Sequence, residues 1–177
     1  MLYLYTMKNI VALLFFSFGW LSSSCIDGLP KLPIPEYMVV SRLDSAEVTL
    51  IDFVKMNALT ALFYVDGDCS PCLAELTEWR HFFTEYPNLA PLLVVRTEHP
   101  DIFPLFMEIN YFSFPTVYDY ELSLWVKNHF AAVASLIVMN SEAGILYAGK
   151  PERDTSFTGR YQNWTVRTVN NNFIHYF

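Results

Sequence analysis

The sequence predicts an α/β protein with a mixed central sheet flanked by helices. Short buried apolar runs alternate with segments whose apolar residues recur at helical spacing. Residues 140–143, Asn-Ser-Glu-Ala, lie between two strand-like runs and indicate a hairpin. Residues 159–177 return to helical spacing. An order of this kind forms a layered fold whose parallel strands are joined by right-handed crossovers.

The elements are predicted one after another along the chain. Residues 61–65 are an apolar run closed by Asp-Gly-Asp, which is typical of a buried strand and its turn. Residues 73–86 have helical spacing, and Pro87 ends that helix. The same arguments place further strands at 92–95, 114–118, 134–139 and 144–148, and further helices at 100–110, 122–129 and 159–177. Residues 41–57 fit either a strand or a helix.

Composition excludes several classes of protein. The chain has 177 residues, about one domain, of which 53% are hydrophobic and 16% charged. A chain this apolar is not intrinsically disordered. Its formal net charge of −7 comes without a basic stripe, so nucleic acid and anionic lipid headgroups are poor electrostatic partners.

The first 24 residues have the pattern of a secretion signal. Lys8 precedes an apolar run at 10–20, which is shorter than the about 20 residues that span a bilayer. Three serines and then Cys25 follow, and this arrangement resembles the lipobox of bacterial lipoproteins. The resemblance implies a signal peptide at 1–24 and a lipid anchor on Cys25; the alternative is plain secretion with a spare thiol. Glycine and prolines predict a tether over 25–40, which leaves a domain at 41–177.

One motif carries chemistry: Cys69-Ser70-Pro71-Cys72 lies where the first predicted strand passes into the first helix. Residues three apart on a helix have Cβ atoms about 5 to 6 Å apart, close enough for a disulfide. The helix N-terminus supplies unpaired N–H groups and the positive end of the dipole, which stabilise a thiolate. Pro71 suits the first helical turn. We therefore expect Cys69 to be the nucleophile and Cys72 the resolving thiol in disulfide exchange.

The segment 63–76 resembles the active site of the thioredoxin-like superfamily. It is most similar to the membrane-anchored, periplasm-facing branch of the cytochrome-maturation type, over roughly residues 45–175. The resemblance implies a thioredoxin-like fold, with Cys69 attacking and Cys72 resolving. Its substrates would be protein thiols or disulfides. Nothing in the sequence indicates a cofactor.

Residues around the motif differ from the family pattern. Asp68 stands where many members have a tryptophan, and a carboxylate beside Cys69 disfavours its thiolate. Phe63 occupies the strand position at which thioredoxins proper bury an acidic residue. We expect Asp68, Ser70 and Pro71 to tune the redox behaviour of the pair.

The family also has a cis-proline loop that binds substrate beside the disulfide. Element order places the equivalent loop at Val133 and Ala134, neither of which is proline. Pro115, followed by a threonine as in the family, is the alternative, although it opens a different strand.

Two functional hypotheses follow. The first is a lipid-anchored thiol–disulfide oxidoreductase of the bacterial cell envelope, facing the periplasm or the exterior. The second is a non-catalytic thioredoxin-like binding module with a structural disulfide, which the departures at Asp68, Phe63 and Ala134 favour. A metal site is not predicted, because zinc on the two cysteines needs two more ligands. The histidines show no ligand spacing; they are His81, His99, His129 and His175.

Overall fold

A mixed sheet with helices on both faces forms the domain, as the sequence predicts. The computed structural model describes residues 29–41, 47–121, 124 and 136–174. The strands are β1 (Val39–Ser41), β2 (Val48–Thr49), β3 (Leu59–Asp66), β4 (Ala90–Arg96), β5 (Thr116–Tyr118), β6 (Leu136–Asn140) and β7 (Ile145–Gly149). The helices are α1 (Leu50–Met56), α2 (Ser70–Glu85), α3 (Phe103–Ile109) and α4 (Phe157–Ile174), and a 3-10 turn spans Pro151–Arg153.

The sheet has the order β2-β1-β5-β4-β3-β6-β7 within the described residues. Strands β3, β4 and β5 run parallel, and β6 pairs antiparallel with β3. The remaining neighbours, β6 with β7 and β1 with β5 and β2, are also antiparallel. Strand β3 is thus central, and its carboxyl end lies beside that of β4, where Asp66 is opposite Arg96.

Strand β3 is buried on both faces because helices cover both sides of the sheet. Alternate side chains from Leu59 to Val65 join one core cluster with helices α2, α3 and α4. Leu62 points to the other cluster, which contains side chains of α1 and of the segment before it. The continuous apolar run that predicts this strand is explained by these two cores.

The segment before α1 differs from the sequence prediction. The predicted tether includes residues 29–40, but Leu32 and Val40 are buried and Val40 lies in β1. Leu32 N–H donates to the carbonyl of Ala143, and the carbonyl of Pro30 accepts from Ile145 N–H. This part of the segment is extended, as its prolines suggest, and it packs against the hairpin of β6 and β7.

The other boundaries shift by a few residues. The ambiguous stretch 41–57 contains the end of β1, then β2 and α1, with Thr49 capping α1 by accepting from Asp52 N–H. Helix α3 begins at Phe103 rather than residue 100, because a turn at 99–102 precedes it. The predicted hairpin is confirmed, and Asn140 Oδ1 stabilises its turn by accepting from the N–H groups of Glu142 and Gly144.

Several predicted features lie outside the described residues. They are the signal peptide at 1–24, the anchor Cys25, the helix at 122–129 apart from Leu124, the substrate loop at Val133 and Ala134, and the histidines His129 and His175.

Candidate redox site

The candidate site is the turn between β3 and α2. Strand β3 ends at Asp66, and two turn residues lead to Cys69, the N-cap of α2. Gly67 N–H donates to the carbonyl of Arg96 at 2.7 Å, which ties the turn to the end of β4. Gly67 is required there, since a Cβ at this position would lie 2.9 Å from Thr97 Cβ. The predicted junction of strand, cysteine motif and helix is therefore present.

Cys69 and Cys72 form a disulfide across the first turn of α2. The S–S distance is 2.04 Å and the Cα atoms are 5.2 Å apart, within the usual range for a disulfide. Cys69 Sγ accepts a hydrogen bond from Cys72 N–H at 3.3 Å. One of the N–H groups that the helix leaves unpaired is thus directed at the sulfur of the first cysteine.

The two cysteines have different surroundings. Both are partly buried, but Cys72 packs against the core cluster beneath α2. Ser70 and Pro71, between them, are exposed, and Pro71 lies in the first turn where its missing N–H costs nothing. The motif therefore presents its middle residues to solvent.

Asp68 makes a connection that the sequence did not indicate. Thr97 Oγ1 donates to its Oδ1 at 2.8 Å, and Glu98 N–H donates to its Oδ2 at 2.9 Å. These two hydrogen bonds, the one from Thr97 foremost, lower the pKa of Asp68 below its ordinary value although the side chain is exposed. The ionised Asp68 carboxylate, next to Cys69, thus links the turn at residues 66–69 to the loop between β4 and α3. This turn is called the redox turn below.

Solved structures resemble this chain, whereas no protein-family model and no curated protein matches its sequence. A putative thiol:disulfide interchange protein DsbE from Chlorobium tepidum aligns over 78% of this chain and 98% of that chain, with TM-score 0.54 and 12% identity. StoA from Bacillus subtilis aligns over 75% and 99%, with TM-score 0.50 and 17% identity. A secreted Mycobacterium tuberculosis disulfide oxidoreductase, homologous to E. coli DsbE, aligns over 71% and 94%, with TM-score 0.50 and 12% identity.

The chain has a thioredoxin-like fold. The predicted resemblance to this superfamily is confirmed at the level of the fold, and the similar structures include proteins described as disulfide oxidoreductases. The disulfide lies at the strand-to-helix junction where the resemblance places the redox pair.

Phe63 fills the site beneath the thioredoxin-like motif with aromatic packing. Its side chain is only 1% exposed. Its ring centroid lies 5.0 Å from that of Trp79, 5.2 Å from that of Phe83 and 5.0 Å from that of Phe114. Phe63 therefore packs its ring against two aromatic side chains of α2 and carries no group that titrates.

Strand pairing bears on the substrate loop. The antiparallel partner of β3 begins at Leu136, two positions after Ala134. Pro115 immediately precedes β5, which is separated from β3 by β4, and its carbonyl accepts from Leu93 N–H. The assignment of the substrate loop to Val133 and Ala134 stays a prediction, because both residues lie outside the described part of the chain.

A groove borders the redox turn on its β4 side. Its rim carries Asp68, Thr97 and His99, and its apolar part includes Leu73 and Ile102. The sequence predicts the helical spacing of α3, but it does not show that Ile102 and Phe106 lie across a groove from Asp68 and Leu73.

No three potential metal ligands among the described residues cluster closely enough to hold an ion. In those same residues, no helix has both the length and the apolar character that a membrane span requires.

Proposed function

We propose that this protein is a lipid-anchored thiol–disulfide oxidoreductase of the bacterial cell envelope. The observation that carries the proposal is the Cys69–Cys72 disulfide at the N-terminus of α2, with the sulfur of Cys69 accepting a helix N–H. In the reduced protein the same N–H and the helix dipole favour a thiolate on Cys69 over one on Cys72.

Disulfide exchange needs no redox group other than Cys69 and Cys72. The Cys69 thiolate attacks one sulfur of a partner disulfide, so that a mixed disulfide forms and the partner's other sulfur leaves as a thiolate. The Cys72 thiolate then attacks the Cys69 sulfur, which restores the Cys69–Cys72 disulfide and releases the second partner thiolate. The partner gains two electrons and the pair loses two; the reverse sequence oxidises a partner.

Asp68 and Phe63 make this pair less reactive than that of thioredoxin. The Asp68 carboxylate opposes a second negative charge on Cys69. Because Asp68 is exposed and water screens its charge, the opposition is modest. Phe63 offers no group that can take a proton from Cys72, so proton transfer must proceed through solvent.

The envelope location rests on the N-terminal sequence and on the similar structures. The signal at 1–24 and Cys25 support export followed by lipidation. One similar protein is described as secreted. Replacing Cys25 with Ala should move the protein from the membrane fraction to the soluble fraction; retention of the Cys25→Ala protein in the membrane fraction would place the anchor elsewhere.

The decisive experiment is a redox titration of the detergent-solubilised protein against glutathione, combined with trapping. Cys72→Ala should form a mixed disulfide with a partner in envelope extracts, because the resolving thiol is missing. The matched variant Cys69→Ala should trap nothing.

The second candidate is a binding module with a structural disulfide, which the apolar Phe63 environment favours. A disulfide that resists both glutathione and reduced thioredoxin, together with no trapped partner in Cys72→Ala, would establish the binding module and exclude the oxidoreductase.

A further inference from the structure

The groove beside the redox turn shares residues with it. Gly67 and Asp68 form one wall and immediately precede Cys69, and Leu73 directly follows Cys72. Across the groove, Ile102 and Phe106 come from the start of α3. The space of about 340 Å³ is suited to one side chain rather than to a folded element. Anything that reaches Cys69 from this side must pass over the groove.

The far wall is unusually apolar for an exposed surface. Ile102 is 55% exposed, although it lines the groove. Leu105 and Ile109 continue the same side of α3, three and seven positions on, and are also largely exposed. Contiguous exposed apolar side chains indicate a contact surface, whereas isolated ones do not.

The rim carries the Asp68 carboxylate, which is held in place, and further acidic residues lie in the loops beside it. Asp68 is fixed by Thr97 and Glu98, and Gly67 by the Arg96 carbonyl, so the groove exists before any partner binds. Asp68, Glu98 and Asp101 are acidic and exposed in these two loops, while His99 and Arg96 are the basic groups nearby. Each Asp68 oxygen retains a lone pair for a further donor.

We propose that this groove binds the polypeptide around the reacting cysteine of the partner, with an apolar side chain against Ile102 and Leu73 and a basic side chain beside Asp68. This inference rests on the proposed function, because it is the exchange at Cys69 that brings a partner chain here. An extended chain advances about 3.4 Å per residue, so residues adjacent to the partner's cysteine are the ones that can reach the groove.

The acidic rim argues against an anionic lipid surface as the occupant, because headgroup phosphates and these carboxylates repel. A second copy of this chain is also disfavoured, since it carries the same acidic rim. A basic, apolar peptide has neither problem.

The test uses the full chain with Cys25→Ala and Cys72→Ala, in which Cys69 is the sole remaining thiol. The probes are peptides whose cysteine is joined to thionitrobenzoate: Gly-Cys-Leu-Lys-Gly, Gly-Cys-Ser-Lys-Gly and Gly-Cys-Leu-Glu-Gly. The Cys69 thiolate attacks the peptide sulfur, the bond to thionitrobenzoate breaks, and the coloured thionitrobenzoate anion leaves. Its absorbance gives the second-order rate.

We expect the Leu-Lys peptide to react about fivefold faster than the Ser-Lys peptide, the effect of partly burying one leucine. It should also react about threefold faster than the Leu-Glu peptide at low ionic strength, a difference that salt reduces. Adding Ile102→Ser should abolish the leucine preference. Met56→Ser, at an equally exposed apolar side chain of α1 that does not line the groove, is the matched control and should keep it.

The outcomes separate this inference from the proposed function. Equal rates for the three peptides, all faster than the same peptides show with free glutathione, would overturn the groove and leave the oxidoreductase intact. Rates no faster than with glutathione would overturn both. A second copy of the chain in the groove would make the second-order rate constant fall as the protein concentration rises, and Ile102→Ser would restore it. That result would overturn the peptide assignment.

Discussion

The two faces of strand β3 are packed in different ways. On one face, Phe63 lies among rings from α2 and the segment before β5, in a cluster that continues to Phe157 of α4. On the other face, Leu62 meets mainly aliphatic side chains, including Leu32 and Val40 from the segment before α1. The aromatic face packs against α2, whose first turn carries the disulfide, whereas the aliphatic face is covered by the segment before α1. One strand thus joins the site to the part of the chain that leads towards Cys25.

The largest expected effect concerns the aromatic face. Phe63→Ala should reduce the free energy of unfolding by about 3 to 5 kcal/mol, because the removed ring leaves a cavity that Trp79 and Phe83 cannot fill. Denaturant unfolding of the oxidised protein measures this loss. Phe63→Leu, which retains much of the volume, should lose clearly less; equal losses for the two variants would mean that the aromatic packing is not what holds α2.

The aliphatic face is tested at Leu32, which is 3% exposed in the segment before β1. Leu32→Ala should reduce the free energy of unfolding by about 3 kcal/mol. Leu29→Ala, at a side chain that is 46% exposed, is the matched control and should change it little. If Leu32→Ala also changes nothing, the segment is a free tether and the second face of β3 is closed by something else.

Thr60 interrupts the aliphatic face with a polar atom. Its side chain is fully buried, and Thr60 Oγ1 has no hydrogen-bond partner among the residues that the structure describes. Thr60→Val keeps the shape and removes the unpaired hydroxyl, so it should raise the free energy of unfolding by about 1 kcal/mol. Thr116→Val is the opposite case, because Thr116 Oγ1 donates to the carbonyl of Phe114. That variant should be destabilised in the same unfolding experiment, and stabilisation of both would show that side-chain volume alone decides.

The sequence predicts the aromatic face better than the aliphatic one. The apolar run of β3, the helical spacing of α2 and the cysteine pair are local patterns, and local patterns follow from backbone periodicity. The packing of Leu32 is not local, since its N–H bonds to Ala143 on the distant hairpin. Prolines and glycine indicate an extended segment, and an extended segment can either remain in solvent or lie against a sheet.

The site shows the same limit. Cys69 and Cys72 are identified by their spacing and by the strand that precedes them. The partners of Asp68 are not, because Thr97 is 29 positions away and reaches Asp68 only through the parallel pairing of β3 with β4. The sequence predicts an electrostatic role for Asp68 next to Cys69, and in the structure its carboxylate also holds two loops together.

The smallest expected effect concerns the two hydrogen bonds that Asp68 accepts in the turn after β3. The pKa of Asp68 is lowered in the folded protein, so the ionised carboxylate stabilises the fold. That contribution is complete above the pKa of an unfolded aspartic acid, about 3.9, and is lost as pH falls through the lower folded value. Asp68→Asn should therefore lower the Tm slightly near neutral pH, since the amide N–H group cannot accept from Glu98 N–H. The Tm gap to wild type should shrink as the pH falls below the pKa of an unfolded aspartic acid. Water screens this exposed group, which keeps the effect small.

Thr97→Ser retains the donor and should retain the pH dependence, whereas Thr97→Val should weaken it. A gap that stays constant down to low pH would mean that the ionised form of Asp68 is not what fastens the redox turn to the loop after β4.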